Sequence, residues 1–124
     1  MPDILYEDNH LLVAVKPPNM LSQADHTGDT DLLSLLKEDI RVRYNKPGNV
    51  YLGLVHRLDR PVGGLMVFAR TSKAASRLSA QMREHDMGRE YLAVVTGRHS
   101  SWLSAAPPNL ETTHFPIMLL STLA

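Results

Sequence analysis

Apolar residues along this chain fall into short runs divided by polar or Gly/Pro-containing breaks. Ile4-Leu5-Tyr6 and Leu11-Leu12-Val13-Ala14-Val15 flank Glu7-Asp8-Asn9-His10, which predicts two strands joined by a polar hairpin turn. Lys16-Pro17-Pro18-Asn19 ends the second strand, because proline supplies no ladder donor. Residues 22–31 are polar, contain Gly28 and three aspartates, and read as a loop. Leu32, Leu33, Leu35, Leu36 and Ile40 then form an apolar stripe, with Lys37, Glu38, Asp39 and Arg41 off it. This predicts a helix capped by Thr30 or Asp31 and fading before Asn45-Lys46-Pro47-Gly48.

Tyr51 to Leu58 is rich in strand formers, interrupted by Gly53, and is followed by the turn-forming stretch Arg60-Pro61-Val62-Gly63-Gly64. Leu65-Met66-Val67-Phe68-Ala69 reads as a buried strand. Thr71 or Ser72 opens a second helix, with Ala75, Leu78 and Met82 on one face. Arg89 to Val95 reads as another strand, ended by Gly97. From His99 the texture changes. Residues 99–124 hold one charged side chain, Glu111, together with Pro107, Pro108 and Pro116, and no sustained period. The expected organisation is a folded portion over 1–98 and a divergent, poorly ordered tail over 99–124, either native or the product of a shifted reading frame.

Composition narrows the function classes. With 124 residues the chain suits one domain. It has no cysteine, which excludes a disulfide scaffold, a thiol nucleophile and a cysteine zinc site. No apolar run approaches the roughly 20 residues that span a bilayer, and Met1-Pro2-Asp3 carries no signal-peptide pattern; the expectation is a soluble, cytoplasmic protein. The formal net charge of zero hides an asymmetry. Residues 1–50 hold five Lys/Arg against eight Asp/Glu, whereas residues 51–100 hold eight against four. All but one of the eight are arginine, the better side chain for forked contacts to phosphate. Solvated faces of a strand and a helix, or a modest nucleic-acid footprint, would each account for this block.

Chemistry concentrates in Val55-His56-Arg57-Leu58-Asp59-Arg60-Pro61-Val62-Gly63-Gly64. Asp59 lies between two arginines, which favour its ionised form. An ionised carboxylate with an open approach can serve as a nucleophile; half of a structural ion pair is the other reading. The six histidines show no metal-ligand spacing, so no metal is expected. Gly63-Gly64 lacks the lysine or the GxGxxG of a phosphate loop.

These blocks, in order, resemble the RluA-type RNA pseudouridine synthases over residues 3–98. Ile4 to Val13 followed by Lys16-Pro17 is similar to that family's first motif. His56-Arg57-Leu58-Asp59 with Gly63-Gly64-Leu65 is similar to its catalytic motif. Ala69-Arg70-Thr71-Ser72-Lys73-Ala74-Ala75 through Leu78, then Arg89-Glu90-Tyr91-Leu92-Ala93, is similar to the helix and strand that follow. The resemblance implies an α+β fold, a partial pseudouridine synthase fold with a mixed, largely antiparallel sheet and flanking helices. It implies RNA, ribosomal or transfer, as the partner and no cofactor, because the reaction is an isomerisation. Asp59 matches the essential aspartate. Tyr91 matches an active-site tyrosine that stacks on the flipped uracil and is a candidate base. Arg57 matches the arginine that fills the space the nucleotide leaves. Arg60 is a second candidate RNA contact, and His56, Gly63 and Gly64 are motif positions of structural type.

The departures are as informative. Val62-Gly63 stands where Thr-Ser is common, and an S4-like RNA-binding domain is absent. The pattern ends near Arg98, before further central strands and a basic residue expected to pair with the aspartate. The chain is therefore expected to be either a pseudouridine synthase or a non-catalytic, RNA-binding or inert fragment of one. A carboxylate hydrolase using Glu90 as a second acid is a third and weaker reading.

Overall fold

A computed structural model of the chain describes residues 1–94 and 117–122. The chain divides into two compact units, Met1–Glu84 and His85–Ala124.

The first unit opens on a hairpin of strands β1 (Asp3–Glu7) and β2 (Leu11–Lys16). Asp8 makes its turn. One carboxylate oxygen accepts the amides of His10 and Leu11, both at 2.7 Å, and the other accepts the Tyr6 hydroxyl at 2.7 Å. These donors hold the carboxyl at about 2, with the Tyr6 bond the largest cause and the two amides next. Helix α1 (Leu32–Arg43) follows the predicted loop, and Asp31 caps it by accepting the Ser34 amide at 2.9 Å. Leu32, Leu36 and Ile40, four residues apart, are its buried positions. Helix α2 (Ser72–Arg83) is capped in the same way, Thr71 Oγ1 accepting the Ala74 amide at 3.1 Å. Its buried residues are Ala74 and Leu78, while Ala75 and Met82 of the expected face are half-buried.

Two further strands, β3 (Gly53–Leu54) and β4 (Gly64–Ala69), complete an antiparallel sheet of order β1-β2-β4-β3. The register pairs Leu12 with Phe68, Ala14 with Met66 and Lys16 with Gly64. Leu12, Ala14, Met66 and Phe68 pack with Leu32, Leu36, Ile40 and Leu52 into one core. Side chains alternate across a strand, so Lys16 shares the face of Leu12 and Ala14 and is fully buried.

The expected strand from Tyr51 to Leu58 shrinks to Gly53–Leu54, for two reasons. Gly53 sits against α2 and β4: a Cβ there would lie 3.1 Å from that of Ala75 on α2 and 3.4 Å from that of Ala69 on β4. Beyond Leu54, side chains take over the ladder's role. His56 Nε2 accepts the Val67 amide of β4 at 3.0 Å, and Ser22 Oγ accepts the Leu58 amide at 3.1 Å.

In the second unit, β5 (Arg89–Val94) pairs antiparallel with β6 (Ile117–Thr122), Tyr91 opposite Leu120. A strand thus lies within the stretch expected to be a divergent tail. Residues 99–116, 123 and 124 of that stretch, like residues 95–98, lie outside the described residues.

Candidate active site

The segment between β3 and β4 carries Asp59, and it is fastened on several sides. Within it, the Val62 amide donates to the Asp59 carbonyl at 2.9 Å and closes a turn. Ser22 binds Leu58 twice, donating its hydroxyl to the Leu58 carbonyl at 2.7 Å and accepting the Leu58 amide. Lys16 Nζ donates to the carbonyls of Met20 (2.6 Å), Arg60 (3.1 Å) and Pro17 (3.2 Å). One buried ammonium therefore ties the turn after β2 to the residue next to Asp59. Gly63 lies against Pro18: a Cβ there would approach the ring Cδ to 2.9 Å and the ring nitrogen to 3.2 Å. Gly64 has φ +152°, a backbone conformation that side-chain-bearing residues rarely adopt.

Against this support the Asp59 side chain is exposed. Burial pushes the Lys16 ammonium down from its ordinary value, and the Asp59 charge opposes that shift. An open carboxylate on a braced turn, near a buried cation, can attack or assist at an electrophilic centre brought in from solvent.

The other expected residues differ in their surroundings. Arg57 is exposed and makes no hydrogen bond or ion pair with another described residue. Arg60 is engaged: its guanidinium meets Asp29 at 2.7 Å and donates to the Asn19 carbonyl at 3.2 Å. RNA contact by Arg60 would exchange an existing partner. His56 anchors β4 through Nε2, an acceptor role that requires that nitrogen to be unprotonated. Tyr91 stands on β5, in the second unit. Among the described residues, no group of three or more His, Asp or Glu could hold a metal ion, and no helix is long and apolar enough to cross a membrane.

Lys16, Pro18, Ser22 and Asp29 take part in building the site and were not among the candidates. Lys16 carried a signal in the sequence, since it continues the inward alternation of Leu12 and Ala14. Ser22 and Asp29 carried none, because their partners lie 36 and 31 positions along the chain.

Fold and site together define an antiparallel α+β unit that presents one aspartate on a braced strand-to-strand loop. Residues 10–118 match the RNA pseudouridylate synthase family, and the chain belongs to that family, in its RluA-type branch. The match runs past Arg98, where the resemblance read from the motifs ends. The chain is 36% identical over 111 residues to ribosomal large subunit pseudouridine synthase C of Buchnera aphidicola subsp. Baizongia pistaciae, covering 89% of this chain and 33% of that protein. It is 36% identical over 98 residues to tRNA pseudouridine synthase C of Haemophilus ducreyi, covering 77% and 37%. Its fold is similar to that of human RNA pseudouridylate synthase domain containing 4, with a TM-score of 0.63 and 25% identity over 74% of this chain and 33% of that one. The chain spans about a third of the length of these relatives.

Proposed function

We propose that this chain carries the nucleophile-bearing part of an RNA pseudouridine synthase, isomerising uridine in ribosomal or transfer RNA with Asp59 as nucleophile. The observation that supports this reading most is the exposed Asp59 carboxylate on a loop braced by Lys16, Ser22 and Pro18, in a chain of this family. In the reaction the bond from the ribose C1′ to uracil N1 breaks and a bond from C1′ to C5 forms. A proton leaves C5 and one is gained at N1, so nothing is oxidised or reduced and no cofactor takes part.

Asp59 starts the exchange by attack on the nucleoside, where its negative charge and open approach are required. Arg57, exposed and unpaired among the described residues, fits the role of entering the space left by the flipped nucleotide. Its planar guanidinium stacks where a base stood while its charge meets phosphate. Tyr91, by the family resemblance, stacks on the uracil and is the candidate base for the C5 proton.

Loss of the C5 proton supplies the assay: tritium release from RNA labelled at uridine C5. A chimera completed with the remaining catalytic-domain residues of the Buchnera relative is expected to release tritium, and its Asp59→Asn variant to release none while still binding RNA. Undiminished release by Asp59→Asn would refute the nucleophile. The length of the chain favours a second reading, a non-catalytic RNA-binding fragment. That reading holds if the 124-residue chain binds RNA without turnover while the chimera turns over.

A further inference from the structure

Helix α2 differs from the segments that carry Arg41, Arg43, Arg60 and Arg70 in how its charges are used. Arg41, Arg43, Arg60 and Arg70 each rest on a carboxylate: Glu38 for Arg41, Glu7 and Asp39 for Arg43, Asp29 for Arg60, and Glu7 for Arg70. Along α2, by contrast, Ser72 to Arg83 includes Lys73, Arg77 and Arg83 and no acidic residue at all. Lys73 and Arg77 are exposed, one helical turn apart, and neither makes an ion pair or hydrogen bond with another described residue. They border a groove of about 570 Å³ beside the β1–β2 turn. Leu11, Ala74 and Leu78 give it an apolar floor, His10, Thr71 and Gln81 complete its lining, and no acidic residue lines it.

We propose that this groove is a second RNA-binding site, one that takes phosphates and sugar of the substrate's backbone away from the target nucleotide. The proposal rests on the RNA reading above and adds to it a contact remote from Asp59. Cations that hold no carboxylate partner attract a polyanion without first having to give one up. The apolar floor suits the face of a ribose or an unstacked base, with phosphates reaching Lys73, Arg77 and His10.

The sheet fixes the separation. Strand β2 runs from Leu11, at the groove, to Lys16, beneath the Asp59 loop. Five residue steps of about 3.3 Å put the two ends about 17 Å apart. A nucleotide held at Asp59 does not reach the groove, but an RNA stem continuing from it does.

The test uses the 124-residue chain and two RNAs: a uridine-containing hairpin with a stem of a few base pairs, and the same hairpin with its stem extended by a full helical turn. Binding is measured by fluorescence anisotropy over a series of salt concentrations. Lys73→Gln/Arg77→Gln is expected to weaken binding of the extended hairpin and to lower its salt slope by about 2, one per lost phosphate contact. Binding of the short hairpin is expected to be unchanged. Lys73→Arg is expected to bind like the parent, which separates lost charge from a damaged helix. The proposal is overturned if the double variant binds the extended hairpin with the parent's affinity and slope, or if both hairpins lose affinity equally. A parent chain that binds neither RNA would refute the RNA reading itself.

Discussion

Replacing Lys16 by Met keeps most of the buried stem and removes the ammonium. Three hydrogen bonds are lost, to Met20 at 2.6 Å, Arg60 at 3.1 Å and Pro17 at 3.2 Å. Bonds to a charged donor are worth about 1.5–3 kcal/mol each, but the sum overstates the effect. Pro17 and Arg60 are exposed residues, so water can replace the ammonium at their carbonyls, and the largest loss falls on Met20. Removing a desolvated charge also returns several kcal/mol. The net destabilisation is therefore about 1–3 kcal/mol, small beside the expected effect on the loop. Lys16 joins the turn after β2 to the Arg60 carbonyl next to Asp59, and if Asp59 is the nucleophile proposed above, a displacement of about 1 Å there reduces the rate on the order of 100-fold. The readout is amide hydrogen exchange at Val62, whose N–H closes the turn on the Asp59 carbonyl. Val62 is expected to lose protection well beyond the global loss, while α1 amides follow global stability alone. If Val62 stays as protected as in the parent while the melting temperature falls, Lys16 is a core residue and not a brace for the loop.

Gly63→Ala drives a Cβ to 2.9 Å from the Pro18 ring; a loss of about 1–3 kcal/mol and a displaced Asp59 loop are expected, read by urea denaturation and by Val62 exchange. Leu36→Ala, at a fully buried core position, is expected to lose about 2–5 kcal/mol in the same denaturation assay. The Asp8 carboxyl lies at about 2 in the folded chain against an ordinary 3.8. Its contribution to stability is complete above the ordinary value and is lost as pH falls through the folded one. Acid titration of the melting temperature should show a decline between those two values that Asp8→Ala removes.

Much of this architecture can be read in the sequence because it is local. Hairpin, helix caps and the buried β4 run depend on neighbours within a few residues, and Asp31 and Thr71 both stand at anticipated cap positions. The catalytic-motif segment misled for the opposite reason. Its strand-like composition from Tyr51 to Leu58 reflects half-buried packing, while hydrogen bonds link His56 to the Val67 amide, Leu58 to Ser22 and Arg60 to Lys16 in place of a strand ladder. Lys16 followed the burial alternation of β2, but a lysine at a strand end ordinarily reads as solvated. A cation near Asp59 was sought beyond Arg98, yet one lies at the end of β2. Strand β6 was invisible because Ile117 to Thr122 shows no alternation, and its partner Arg89–Val94 lies more than twenty residues earlier.

The fastening of the Asp59 loop also bears on the order in which this protein folds. The β1–β2 hairpin and α1 form from contacts within a few residues, whereas Lys16 and Arg60 stand 44 residues apart and Ser22 and Leu58 stand 36 apart. Such long closures are made only once the contacts that reward them are available, which here means pairing of β2 with β4. A refolding chain therefore acquires its hairpin and first helix before it owns a shaped Asp59 loop. Pulse-labelled exchange during refolding is expected to protect the Leu11 amide, held by Asp8, ahead of the Val62 amide. It follows that a chain caught early in folding holds Asp59 as a residue without the turn that fixes its place.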